Sequence, residues 1–463
     1  MVNQSLKWQN ALLLVASYVF YGWWSWKFLL LLMLSTSLDF FYGFSVASVD
    51  KRKARLYLLL SVINNLGILA VFKYYNFFIA ETHQFLEMMG LNASPLVLEI
   101  ALPVGISFYT FHGMSYVFDI YRGIQKPVRN VVDYAVFVGF FPLLVAGPIE
   151  RANHLLPQIQ KSRIFNISQA NEGVKLILWG LFKKVVIADS LAVIVNSIFE
   201  NYQDHNAFAL IIGAIGFSFQ IYGDFSGYSD IAIGTAKLFG FELLSNFKFP
   251  YFSRNIIEFW KRWHISLTSW FRDYLYLPLG GSKKGNGTTL RNIVLVFLLS
   301  GLWHGANMKF IFWGLLHASA YLLFRWFQKG SKTPDHIIGY HSKLPSIKEL
   351  FQVLITFSFV TFAWIFFRAP NLEVASNYCK KIFNGLIFHP AQFLEIPVGL
   401  SIFEFIIVFV LMDWWFRKDS RSLRTSSVKY LNYAIYIVMA SMVLTHLNFF
   451  VNHKEVEFIY FQF

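Results

Sequence analysis

Cysteine is nearly absent from this chain. Cys379 stands alone among 463 residues, so an intrachain disulfide and a metal centre built from thiolates alone are excluded by counting. Charge is scarce as well: Asp, Glu, Lys and Arg make up only 14% of the residues. Between Ala11 and Phe450 no polar stretch is long enough to bury a core of its own, which excludes an appended soluble domain. Familiar catalytic signatures are missing too. There is no H-E-x-x-H zinc pair, and FSGYSDI does not fit the G-x-S-x-G nucleophile elbow. LGGSKKGNGTT falls short of a P-loop because Asn286 stands where the lysine is required. It reads instead as a flexible basic turn at a membrane surface, able to meet a nucleotide's phosphates by charge alone. No metal and no permanently bound cofactor is expected.

What fills the chain is apolar surface. Hydrophobic residues make up 56% of it and aromatics 19%, far more than a soluble fold can hide, so the sequence predicts an all-α, polytopic integral membrane protein surrounded by lipid. The net charge of +14 does not point to nucleic acid, because the basic residues fall in short clusters between apolar runs. Those clusters read as loops at an anionic cytoplasmic surface: Lys51, Arg52, Lys53 and Arg55; Lys183 and Lys184; Lys283 and Lys284; Arg417, Lys418, Arg421 and Arg424. The opening run to Trp24 lacks a small-residue cleavage site behind it and reads as a retained helix.

In order, spans are predicted at Phe28–Val49 and Leu56–Phe72, at about 20 residues per crossing, followed by a polar stretch with Glu81, His83 and Glu87. Pro103 and Gly105 interrupt an apolar helix from Leu96 that carries His112, Asp119 and Arg122 toward its end. Pro142, Gly147 and Pro148 predict a broken or re-entrant helix, with Glu150, Arg151 and His154 at its wet end. Gly173–Ile198 reads as a long helix whose Lys183 and Lys184 stems reach lipid headgroups. Phe208–Tyr222 is a span running into a polar segment with Asp224 and Asp230. These aspartates read either as structural support between packed helices or as catalytic groups. Leu290–Trp303, Phe310–Phe327, Leu350–Phe367, Val398–Met412 and Tyr430–Leu447 complete ten to twelve embedded helices, some partial. His336 and His341 read as solvated. The simplest organisation is one membrane domain over residues 1–463.

The chemistry concentrates between Tyr251 and Ala306. Apolar residues at 256, 260, 263, 267, 270 and 274 give helical spacing, predicting an in-plane amphipathic helix that aims His264 inward while Lys261, Arg262, Ser269, Arg272 and Asp273 point elsewhere. His304 follows late in the next apolar segment. An imidazole at that depth needs a partner or a wet cavity. The residues fit either a pair of satisfied structural histidines or a general base on a hydroxyl with a second polar group to steady an oxyanion. The latter suits acyl transfer from a thioester, which needs no metal.

Several long stretches together resemble one family: ASYVFYGWW, STSLDFFYG, LPVGISFYTFHGMSYVFDIYRG, FFPLLVAGPIER, the run from QIYGDFSGYSD through KRWHISLTSWFRDYLYLPLGG, GLWHGANMKFIFWG and the closing FIYFQF. The chain is similar to the membrane-bound O-acyltransferases, within them to the alginate and peptidoglycan O-acetylation branch. The hydrophobic segment that ordinarily precedes ASYVFYGWW reads as missing or shortened here, either because the start is truncated or because this member lacks it.

The resemblance implies about eleven transmembrane and re-entrant helices around a central funnel or tunnel, with a catalytic core over about residues 96–327. It implies that His304 is the catalytic histidine and His264 the second position of the pair. Arg254, Lys261, Arg262, Lys283 and Lys284 would attract the donor's phosphates. Trp263 and Trp303 would wall the tunnel, with Asn307, Asp224 and Asp230 in support. The implied donor is acetyl-CoA or another acyl thioester at the cytoplasmic face of a bacterial inner membrane. The implied partner is an extracytoplasmic SGNH-type O-acetyltransferase, and the final acceptor is an exported polysaccharide. A transporter of a saccharide or lipid-linked intermediate is the competing reading, in which Asp224 and Asp230 would matter more than His304; a scaffold of an export complex is a third.

Overall fold

Several helices begin where a side chain caps the first turn. The computed structural model describes residues 5–48, 50–91, 94, 101–328, 336–340, 344–388, 401–418, 429–451 and 458–459, and among these it is helical with no strand. Arg421, Arg424, His341, residues 96–100 and all but two residues of FIYFQF lie outside the described set. Contacts group the chain into two units, Met1–Ala170 with Thr235–Leu244, and Asn171–Gly234 with Ser245–Phe463.

The first unit holds α1 (Leu6–Trp24), α2 (Trp26–Val46), α3 (Lys51–Leu69), α4 (Tyr75–Met88), α5 (Ile106–Tyr121) and the short α6 (Val131–Gly139), α7 (Phe141–Leu144) and α8 (Ala152–Ile159). The basic cluster at 51–55, expected in a loop, is the first turn of α3, because the Asp50 carboxylate accepts from the Arg52 and Lys53 amides and satisfies groups that a helix start leaves open. A π-helical turn, Ala70–Tyr74, carries α3 into α4, so Glu81, His83 and Glu87 are helical and do not form a separate polar stretch. Asp39 of α2 is buried and accepts from Ser61 and Asn65 of α3 at 2.9 and 2.8 Å, the kind of polar contact that fixes helices which gain nothing by hiding from lipid.

Gly105 stands at the start of α5. Its φ is +74°, and a Cβ there would lie 1.9 Å from the Leu144 carbonyl oxygen. The expected fracture around Pro142 and Pro148 is present as the three short helices α6 to α8. Glu150, by contrast, is not at a wet end. It is fully buried, accepts from the Leu244 amide at 2.6 Å and pairs with His154 Nδ1 at 2.7 Å, while its own amide donates to His112 Nε2 at 2.9 Å. His112 is thereby a buried, hydrogen-bonded histidine.

Into the second unit run α9 (Ile167–Leu181), a π-helical stretch (Phe182–Ala188), α10 (Asp189–Glu200) and the long α11 (Ala207–Leu238), followed by α12 (Ile256–Arg262), α13 (Ile265–Phe271), α14 (Asn286–His304), α15 (Met308–Phe327), α16 (Ile347–Arg368), α17 (Leu372–Phe388), α18 (Ser401–Phe416) and α19 (Lys429–Val451). The polar segment after Tyr222 continues α11 without a break. One expectation changes here: Lys183 and Lys184 do not reach headgroups. Lys183 Nζ lies 2.6 Å from Asp230 and 2.9 Å from Ser226, and Lys184 Nζ lies 2.7 Å from Asp189 and 2.9 Å from Asp224. With carboxylates on the facing helix, an inward ion pair satisfies the ammonium without carrying it to the interface.

Six helices among the described residues are long and apolar enough to cross a membrane: Trp26–Val46, Lys51–Met88, Ala207–Leu238, Met308–Phe327, Ile347–Arg368 and Tyr430–Asn448. Helix α14 is not one of them, because it opens on the polar NGTTLRN. Helices α6 to α8, α12 and α13 are too short. Cys379 is a buried free thiol. His446, for which the sequence names no neighbour, holds the Met442 carbonyl at 2.8 Å through Nδ1.

Candidate active site

The predicted amphipathic helix from Ile256 to Tyr274 is broken at the histidine it carries. Its apolar stripe is buried as expected, at Ile256, Trp260, Trp263, Leu267, Trp270 and Tyr274. The backbone, however, leaves α12 at Arg262 and re-enters α13 at Ile265, with His264 between them at φ 43° and ψ 54°. A non-glycine side chain in this left-handed region costs about 1–3 kcal/mol and persists only where the surroundings impose it. Asn255 starts α12 by accepting from the Glu258 amide at 2.8 Å. The turn therefore comes from tertiary contacts and not from a weak helix start.

The His264 ring packs edge-on against Phe225 at 4.7 Å and against Trp303 at 5.8 Å. It is buried, and neither ring nitrogen has a hydrogen-bond partner among the described residues. Burial lowers its pKa to about 3, so the imidazole is neutral at physiological pH, with one N–H to donate and one nitrogen to accept.

His304 ends α14, which is pressed onto α15 by glycines. A Cβ on Gly301 would lie 2.2 Å from the Phe310 carbonyl oxygen, and one on Gly314 would lie 2.4 Å from that of Phe297. Such close approach is how small residues bring membrane helices together. Asn307 caps α15 by accepting from the Lys309 amide at 3.0 Å, and Lys309 Nζ donates to the Ala369 carbonyl at 2.6 Å, tying the turn after His304 to the end of α16. The His304 ring, also buried, meets Trp303 at 4.9 Å, Trp313 at 5.3 Å and Phe367 at 5.2 Å. Trp303 thus touches both histidines. Trp263, the other expected wall residue, lies in the neighbouring stack with Phe247, Phe259 and Trp364, at 5.1, 5.6 and 5.1 Å.

The five cations expected to meet phosphates separate into two groups. Arg254 and Arg262 clasp one buried carboxylate: Glu258 Oε1 lies 3.0 Å from Arg254 Nη2 and 2.9 Å from Arg262 Nη2, with Glu349 3.2 Å from Arg254. Sequence reasoning passed over Glu258, although its spacing of four residues from each arginine was the available signal. Lys261, Lys283 and Lys284 remain exposed. Asp224 and Asp230 lie in the ion pairs with Lys184 and Lys183, where Asp224 also accepts from the Ile459 amide at 2.7 Å.

A cavity of about 360 Å³ lies beside the two histidine segments, lined by Trp260, Lys261, Ile265, Thr268, Arg272 and Ser300 among others. Ile265 follows His264 in the chain, and Ser300 stands one helical turn before His304; neither histidine lines the cavity itself. His317 is fully buried in α15, packed on Trp313 at 4.8 Å and Trp260 at 5.0 Å, with neither ring nitrogen hydrogen-bonded among the described residues. No group of three or more His, Cys, Asp or Glu among the described residues is arranged to hold a metal ion.

Residues 13–335 match the MBOAT, membrane-bound O-acyltransferase family. The chain belongs to that family. Among its relatives are the probable alginate O-acetylase AlgI of Pseudomonas syringae pv. tomato, 38% identical over 420 residues that cover 89% of this chain and 77% of the relative, and that of Pseudomonas aeruginosa, 40% identical over 381 residues covering 82% and 70%. The peptidoglycan O-acetyltransferase of Helicobacter pylori is 35% identical over 402 residues, covering 81% and 73%. As a membrane-bound O-acyltransferase, this chain is a multi-pass membrane enzyme that transfers acyl groups.

Proposed function

We propose that this enzyme is an O-acetyltransferase of the bacterial cytoplasmic membrane that takes acetyl from a cytoplasmic thioester, acetyl-CoA, and delivers it across the bilayer for O-acetylation of an exported polysaccharide. His304 is the general base and His264 its assistant. The observation that carries the reading is the placement of both imidazoles on one indole, Trp303. The relatives named for alginate and peptidoglycan O-acetylation support acetyl as the acyl group and a cell-envelope polymer as its destination.

In the transfer step, the His304 imidazole takes the proton of the acceptor hydroxyl as its oxygen attacks the thioester carbonyl. The C–S bond then breaks, and the departing thiolate takes the proton back from the imidazolium. His264, held neutral by burial, supplies a single N–H to the carbonyl oxygen as charge develops there. The donor approaches through the 360 Å³ cavity, with Lys261 at its rim and Lys283 and Lys284 on the adjacent turn attracting phosphate. A charged donor stays on its own side of the hydrocarbon, and an SGNH-type partner outside receives the acetyl group. The transporter reading loses its sites, because the carboxylates it would use are occupied by lysines.

The test is His304→Ala in full-length protein reconstituted in nanodiscs, with free thiol released from acetyl-CoA as the readout and acetylation of exported polymer followed in cells. Loss of both signals at equal expression is expected. Retention of either at the parent level would overturn the assignment.

A further inference from the structure

His264 is one of two non-glycine residues with positive φ among those described; the other is Phe249, at φ 50°. Both flank the same set of hydrogen bonds. The Lys248 amide donates to the Arg262 carbonyl at 3.0 Å, and the Ile265 amide donates to the Asn246 carbonyl at 2.8 Å. The Ser266 hydroxyl donates to Asn246 Oδ1 at 2.6 Å. These contacts bracket Trp263 and His264 from both sides. Phe247, between the two anchor points, lays its ring against Trp263 at 5.1 Å and near His264 at 6.5 Å.

Of these hydrogen bonds, the one from Ser266 depends on the side chain at position 246. We propose that Asn246 is the positioning residue for His264, its carboxamide holding Ser266 so that the left-handed turn aims the imidazole at Trp303. The inference rests on the assignment of His264 to acyl transfer. Asn246 is itself buried, and the choice of amide over acid follows from what lies behind it. It lines a cavity of about 30 Å³ together with Lys183, Tyr222, Asp230 and Asp413. Aspartate would offer Ser266 the same acceptor but would add a carboxylate beside two others, where one lysine already pairs with Asp230. The amide keeps the acceptor and brings no charge. Its Nδ2 has no hydrogen-bond partner among the described residues, and the cavity has room for about one water.

The experiment compares Asn246→Ala, Ser266→Ala, the double variant and Ser266→Thr in nanodiscs, using free thiol released from acetyl-CoA. Misplacing a catalytic group by about 1 Å can cost on the order of 100-fold in rate. We therefore expect each single alanine variant to lower kcat between about 10-fold and 100-fold with KM unchanged, the double variant to be no worse than either, and threonine, which keeps the hydroxyl, to restore the parent kcat. Losses that multiply in the double variant, or alanine variants that only lower thermal stability, would overturn the inference. His264→Ala is measured alongside. If it keeps the parent kcat, the assignment of His264 fails and this inference with it; if it loses activity while Ser266→Ala does not, only the positioning role is lost.

Discussion

The rings of His264 and Trp303 lie 5.8 Å apart at 65°, and this contact brings together two positions that the chain separates by α13, the turns after it and most of α14. Trp303 meets His304 at 4.9 Å and 80° on its other contact. Edge-on aromatic pairs contribute about 0.5–1.5 kcal/mol each beyond the area they bury, so the indole orders both imidazoles at once.

Trp303→Ala should therefore lower acyl transfer more than it lowers stability. A turnover loss of about 100-fold is expected from misplacing both rings, with little change in donor KM, while Trp303→Phe retains a substantial part of the rate. Thiol release in nanodiscs and a thermal melt of the same samples separate the two effects. Equal rates for the alanine variant and the parent would remove the indole from the site.

Glu258 divides the cations by role. Removing the shared partner of Arg254 and Arg262 leaves Arg254 with Glu349 and the His336 carbonyl and Arg262 with the Lys248 carbonyl, and breaking a buried ion pair costs about 3–5 kcal/mol. Glu258→Gln is expected to lower the melting temperature strongly, whereas Lys261→Ala leaves it in place and raises the donor KM several-fold. A KM effect from Arg254→Ala in a fully stable protein would contradict this division.

Acid should weaken the site through His264. Its pKa is about 3 in the fold against an ordinary 6.5, so below the ordinary value the unfolded chain binds a proton that the folded chain refuses. The stabilisation is complete above about pH 6.5 and is lost as pH falls toward 3, by about 2 kcal/mol at pH 5. His264→Asn, which cannot be protonated there, should show a smaller drop in melting temperature between pH 7 and pH 5 than the parent. Identical drops would mean that the folded chain takes up this proton as readily as the unfolded one.

Much of the site was legible because its motifs are contiguous. KRWHISL and GLWHGA place their histidines without any knowledge of the fold, and the stripe from Ile256 to Tyr274 is buried as its spacing predicts. The break at His264 was not legible, because the stripe continues through it at helical spacing while the bonds that open the helix come from Asn246 and Lys248. Lys183 and Lys184 misled for a related reason: a lysine pair between apolar runs reads the same whether it snorkels or faces Asp230 and Asp224. Arg254 and Arg262 read as free charge because their common counterion stands in the same helix and was not weighed.

The amino-acid order alone determined that this is a helical membrane enzyme and which two histidines stand in its motifs, since the scarcity of charge, the length of the apolar runs and contiguous residue strings are local properties. Only the tertiary structure decided that the two rings share Trp303, that His264 takes a left-handed turn, and which cations are already neutralised. Those outcomes depend on atoms brought together from distant parts of the chain, where packing and the cost of an unpaired buried charge overrule what neighbouring residues prefer.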